Sequence, residues 1–139
     1  MNEVYLSRMV SHRQLDAWLA AFYGIEPGTM RIHASDDEFI ESAGAYAVNV
    51  VAQHIGGDFP QQLSVYVDRS QTDAELAAFL ARKGNLEVVF SDDTLNPFRW
   101  MVESGKGGKA FFVDAEAFDE GAFVIDRYDS GQANEEPED

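Results

Sequence analysis

The chain contains no cysteine, which excludes disulfide staples, thiolate metal sites and thiol nucleophiles and suits a reducing cytoplasm. Nowhere do about 18 apolar residues run together, as a membrane-spanning helix would need. The N-terminal stretch MNEVYLSRMV has neither the basic leader nor the apolar core of an export signal. A cytoplasmic location without membrane association is therefore expected. Histidine is scarce as well: His12, His33 and His54 are the only three, and no two sit at i, i+4 metal-ligand spacing on a helix. No Gly-x-Ser-x-Gly elbow marks a serine nucleophile. No cofactor and no metal site is expected.

Positive charge is the other thing in short supply. Ten Lys and Arg face 25 Asp and Glu, for a net charge of −15. The stretch Asp129 to Asp139 holds five acids and no base, so residues 1–128 still carry −10. Such a field repels nucleic acid and anionic membranes and steers basic partners toward the surface; acidity of this kind also serves solubility. Hydrophobic residues at 45% and charged residues at 25% lie in the range of folded chains. The length suits one domain, residues 1–128, followed by an acidic flexible tail, residues 129–139, with too few apolar groups to offset its ordering entropy.

What is present is unusually clear punctuation. Thr72 with Glu75 three places on is a capping box; Leu76, Phe79 and Leu80 recur at helical spacing; Arg82 and Lys83 complement the dipole of the last turn; Gly84 can close the helix. Leu86 to Phe90 then reads as a buried strand, stopped by Ser91-Asp92-Asp93. Ser11 with Gln14 opens a second helix, with Leu15, Trp18, Leu19 and Phe22 as its stripe and Gly24 as its end. Ser35 with Glu38 starts a third. Its apolar positions keep a helical period to Gly56-Gly57, which predicts one long helix; a break at Gly44 would instead leave a strand over residues 45–54, paired as a hairpin with the next.

Strands are expected at residues 2–10, at Met30 to Ala34 with Met30 and Ile32 inward and His33 outward, and at Leu63 to Val67. After Asp93, Phe98 to Val102, Lys109 to Val113 and Ala122 to Ile125 suggest an antiparallel meander, its first two strands joined across Gly105-Lys106-Gly107-Gly108. The class is α+β: a single mixed or mostly antiparallel sheet of five to seven strands, about three helices mainly on one face, and a C-terminal β-meander.

Chemistry has few anchors. The loop Gly105 to Lys109 lacks the glycine spacing and the following hydroxyl of a phosphate loop, and it joins two strands rather than opening a helix. Asp92 and Asp93, just past a strand end, could act as acid, base or half of a divalent-ion site, although a turn before Asn96-Pro97 accounts for them better than a metal does. Aromatics crowd the last third: Phe98, Trp100, Phe111, Phe112, Phe118 and Phe123. Adjacent rings on one strand face opposite ways, so one of Phe111 and Phe112 needs cover from a helix, a loop or a partner, and the same holds for Trp100 and Met101. An exposed ring among Asp92, Asp93, Asp119 and Glu120 would form an interaction hot spot.

These features point to a non-enzymatic, bacterial-type acidic module that binds or inhibits a basic protein partner, as an immunity-type protein does, through Asp92, Asp93, Trp100, Phe112, Asp119 and Glu120. The alternatives are a small metal- or carboxylate-dependent enzyme using Asp92 or Asp93, and a self-associating domain with the meander aromatics buried in a homodimer.

Overall fold

A computed structural model of the chain describes residues 1–34, 48–91, 99–104, 108–113 and 115–128. The class is α+β, built on one mixed sheet. In chain order the elements are β1 (Asn2–Leu6), α1 (His12–Tyr23), β2 (Arg31–His33), β3 (Asn49–His54), β4 (Gly56–Gly57), β5 (Gln61–Tyr66), α2 (Asp73–Gly84), β6 (Val88–Ser91), β7 (Arg99–Glu103), β8 (Gly108–Val113), α3 (Ala115–Asp119), β9 (Ala122–Phe123) and β10 (Ile125–Tyr128). Eight strands form the main sheet in the order β10-β8-β7-β6-β1-β5-β3-β2, and β4 pairs with β9 in a separate two-stranded ribbon. Every pairing in the main sheet is antiparallel except β2 with β3.

The two long helices begin where the capping residues put them. The Ser11 hydroxyl accepts from the Gln14 amide at 3.2 Å, and Gly24, at φ +70°, closes α1. At α2 both halves of the capping box form: the Glu75 amide donates to Thr72 Oγ1 at 3.1 Å, and the Thr72 amide donates to Glu75 Oε1 at 2.8 Å. The left-handed closing residue is Asn85, at φ 50°, and not Gly84. Gly84 answers a different need: a Cβ there would lie 2.8 Å from Trp18 Cη2, so its bare backbone lets α1 and α2 approach.

Both helices cover one face of the sheet. Val4 and Leu6 of β1, Leu63 and Val65 of β5, Val50 and Ala52 of β3 and Val88 of β6 meet Leu15 and Leu19 of α1 and Leu76 and Leu80 of α2. Strand β1 is the hinge of this layer, since it pairs with β5 on one side and β6 on the other. Its first residue ties three elements together: Asn2 Oδ1 accepts from the Tyr23 hydroxyl at 2.6 Å, and its Nδ2 donates to the Gln71 carbonyl and to Asp73 Oδ1, each at 2.9 Å. Gln61, also buried, acts as a strand neighbour for Val10, its Oε1 accepting from the Val10 amide at 2.9 Å and its Nε2 donating to the Val10 carbonyl at 3.1 Å. These buried amides thus satisfy their donors and acceptors inside the fold.

The opposite face carries a second core of Tyr5, Phe59, Val89, Trp100, Val102, Phe111 and Phe123, with Ile55, Phe118 and Ile125 packed against it. Phe123 is its hub, with ring centroids 4.8 Å from Tyr5, 5.2 Å from Trp100, 5.7 Å from Phe59, 6.0 Å from Phe111 and 6.2 Å from Phe118.

Two expectations are corrected here. Helical periodicity does not carry through to Gly56-Gly57: Asn49–His54 is a strand, antiparallel to β5 from Asn49 opposite Tyr66 to His54 opposite Gln61. Pairing with β5 buries Val50, Val51 and Ala52 together, which a marginal helical period cannot match, and it adds one strand to the expected sheet. The Ser35 helix start lies outside the described residues. His33 is fully buried rather than outward, its Nε2 2.9 Å from Asn49 Oδ1, a polar partner that makes burial of the imidazole tolerable.

Gly56 and Gly57 are not a helix cap but a parallel partner for β9. Gly57 sits at φ +99°, and a Cβ there would fall on the Phe123 backbone. Gly57→Ala is expected to cost about 3 kcal/mol of unfolding free energy, from left-handed strain plus displacement of β9. Gly28→Ala, at φ +84° but with open space around it, should cost only about 1 kcal/mol. Urea unfolding of both variants checks this, and equal costs would refute the close approach.

Candidate functional site

Among the described residues one solvent-open hollow of about 340 Å³ lies among Asn85, Leu86, Glu87 and Ser104, and two others bear on function. The larger, about 600 Å³, lies at the start of α2 among Asn2, Gln71, Thr72, Asp73, Ser91 and Met101. It borders Ser91, the residue before Asp92-Asp93, but Asp92 and Asp93 lie outside the described residues. Its polar walls are already engaged: Thr72 in the capping box, and Asp73 Oδ1 with Asn2 Nδ2 at 2.9 Å and the Glu3 amide at 3.3 Å. Among the described residues no group of three His, Asp or Glu side chains is placed to hold a metal ion.

The smaller hollow, about 180 Å³, lies on the second face between β1, the β4–β9 ribbon and α3, lined by Tyr5, Ile55, Gln62, Phe118, Ala122 and Phe123. Register explains its polar end. Tyr5 stands opposite Gln62 and Glu3 opposite Ser64 on β5, so Glu3, Tyr5 and Gln62 share one face. Gln62 Nε2 donates to Glu3 Oε2 at 2.7 Å and to the Tyr5 oxygen at 3.3 Å, the Tyr5 hydroxyl donates to the same Glu3 oxygen at 3.4 Å, and Gln53 Nε2 donates to Gln62 Oε1 at 2.8 Å. A half-buried carboxylate therefore backs an apolar, ring-walled hollow.

Charge is unevenly laid over this architecture. Helices α1 and α2 are balanced: Asp16 against Arg13 on α1, and Asp73 and Glu75 against Arg82 and Lys83 on α2. Described residues 115–128 instead hold four acids, Glu116, Asp119, Glu120 and Asp126, against one base, Arg127. Glu116, Glu120 and Asp126 are exposed, and so is Asp58, whose amide donates to the Phe123 carbonyl at 2.6 Å and whose Oδ2 accepts from the Ile125 amide at 2.9 Å. Among the described residues the α3–β9–β10 segment, or lid, is thus net acidic where α1 and α2 are balanced.

The residues expected to bind a partner are distributed as follows. Glu120 is exposed, in the turn after α3. Asp119 ends α3 and Phe112 lies on β8. Trp100 does not present its ring to a partner: only 9% exposed, it packs edge-on to Tyr5 and Phe123 in the second core, while Met101 packs on the helix face, so the chain supplies its own cover for both. Among the described large hydrophobics only Met1 and Met9 are exposed, so the ring surface on which self-association would rest is turned inward at Trp100, Phe111 and Phe123. The small hollow was not foreseen; it depends on a two-residue parallel pairing that leaves no period in the sequence.

No described helix is long and apolar enough to cross a membrane. No protein-family model, curated protein or solved structure matches the chain.

Two phenols are displaced from ordinary behaviour. Burial, with the nearby Glu3 carboxylate and the hydrogen bond to it, holds the Tyr5 hydroxyl far above the usual phenol range, and burial followed by the Asp73 carboxylate does the same to Tyr23. Both stay neutral in the folded chain at pH values where the unfolded chain ionises near its ordinary value of about 10. Below that value neither state differs in protons bound; above it the unfolded state binds fewer, so stability falls as pH rises. Unfolding titrations above about pH 10 should show this loss, with a shallower slope in Tyr5→Phe/Tyr23→Phe. An unchanged slope would mean that other groups govern alkaline unfolding.

Proposed function

We propose that the chain is a non-enzymatic acidic module that binds, and by covering inhibits, a basic protein partner. The observation that carries this reading is the net-acidic α3–β9–β10 segment set against balanced helices: a concentrated negative field selects and orients a cationic surface, which the same charge spread evenly would not do. The inward turn of Trp100 removes that ring from the contact and leaves carboxylates, with Glu120 among them, as the recognition groups. An immunity-type protein is one concrete form, because masking a cationic cleft requires negative potential and no catalytic group.

Matched charge reversals test the placement. Immobilised chain at low ionic strength should retain basic proteins and release them at about 1 M salt, where the screening length is about 3 Å. Glu116→Lys/Glu120→Lys should lower retention at least tenfold, while Glu26→Lys/Asp68→Lys, with the same net charge but away from the lid, should leave it within about twofold. Equal losses would make the acidity a bulk property, and no retention of any basic protein at low salt would end the reading.

A further inference from the structure

The 180 Å³ hollow sits within the acidic lid and has features that net charge alone does not require. Three of its seven lining residues, which include Gly121, are aromatic: Tyr5, Phe118 and Phe123. Its polar end is the Tyr5 and Gln62 pair, both bonded to Glu3 Oε2. Exposed Glu116 and Glu120 stand two positions either side of the lining residue Phe118, and exposed Asp58 is bonded through its amide to the carbonyl of the lining residue Phe123. A cavity of about 150 Å³ accommodates a benzene ring, so the space suits a flat group of that size.

We propose, building on the binding reading above, that this pocket receives an arginine side chain of the basic partner. A guanidinium is flat, stacks on aromatic rings and is weakly hydrated, so entering a ring-walled hollow costs it less desolvation than it costs a lysine ammonium, a compact and strongly hydrated point charge. The three methylenes of arginine match the apolar walls at Ile55 and Ala122, and its charge is met by the Glu3 carboxylate behind the Tyr5 and Gln62 end and by the lid carboxylates outside. A neutral ring would fill the walls but leave that potential unused, and an anion would be repelled by it.

The test uses the full chain, labelled with ¹⁵N and titrated at constant ionic strength with the peptides acetyl-Gly-Arg-Gly-amide, its lysine counterpart and its citrulline counterpart, and separately with phenol. The arginine peptide should shift the amides of Gln62, Gly121 and Ala122, the lysine peptide should bind at least fivefold more weakly, and the citrulline peptide should leave them unmoved. Ala122→Leu, which fills the hollow, should weaken the arginine response at least tenfold. Phe118→Leu, which keeps bulk but removes a ring, should weaken it about threefold or more while the rest of the amide spectrum confirms the fold. Arginine shifts scattered over the lid without these three amides, or saturation by phenol where arginine fails, would overturn the pocket assignment and leave the acidic-surface reading standing. Loss of low-salt retention of basic proteins would overturn that reading itself.

Discussion

The second face of the molecule depends on one approach of backbone to backbone. Gly57 lies so close to Phe123 that only a residue without a Cβ fits, and this holds β9 in register, with Gly57 opposite Phe123. Phe123 then projects into a cluster in which it meets five other rings. Full burial of a phenylalanine contributes roughly 1.5–3 kcal/mol, and each well-placed ring pair about 0.5–1.5 kcal/mol more. Against marginal domain stability that is a large share for a strand of two residues.

Burying the rings sets the character of the remaining surface. A meander rich in aromatics could have presented them to a partner. Here Tyr5, Trp100, Phe111 and Phe123 are consumed by the chain's own core, so the lid's outward groups are its acids. Helices α1 and α2 carry as many bases as acids, whereas the short elements from α3 to β10 carry four acids and one base.

How much of this the sequence discloses depends on whether the signal is local. Capping is local: Thr72 and Glu75 announce α2, Ser11 and Gly24 bracket α1, and Leu63 to Val67 alternates as its strand requires. Asn49–His54 is a tertiary outcome, because its residues keep a weak helical period and become a strand only when β5 offers a ladder. Gly56-Gly57 misleads for a related reason. Positive φ at glycine serves a helix end and a close strand crossing alike, and only the arrival of Ala122 and Phe123 from 66 positions away decides between them. His33 shows the same limit, since alternation fixes its face but not what covers that face. The small hollow is least legible, as Tyr5, Ile55, Gln62 and Phe118 come from four separate stretches.

The elements around the hollow also bear on how binding and folding are coupled. Helix α3 has five residues and β9 two, too short for either to persist without tertiary support. Their order is supplied by Phe118 and Phe123 inserting into the ring cluster and by Asp58 clasping the backbone on both sides of Val124. A partner that engages the lid binds the docked arrangement and not the undocked one, so part of its binding free energy stabilises that docking. On the proposed reading the same linkage runs in reverse, so whatever loosens the Gly57–Phe123 approach would weaken partner binding without touching a carboxylate. The acidic surface and the second core are in that sense one structure, with the carboxylates outside and the rings that hold them in place within.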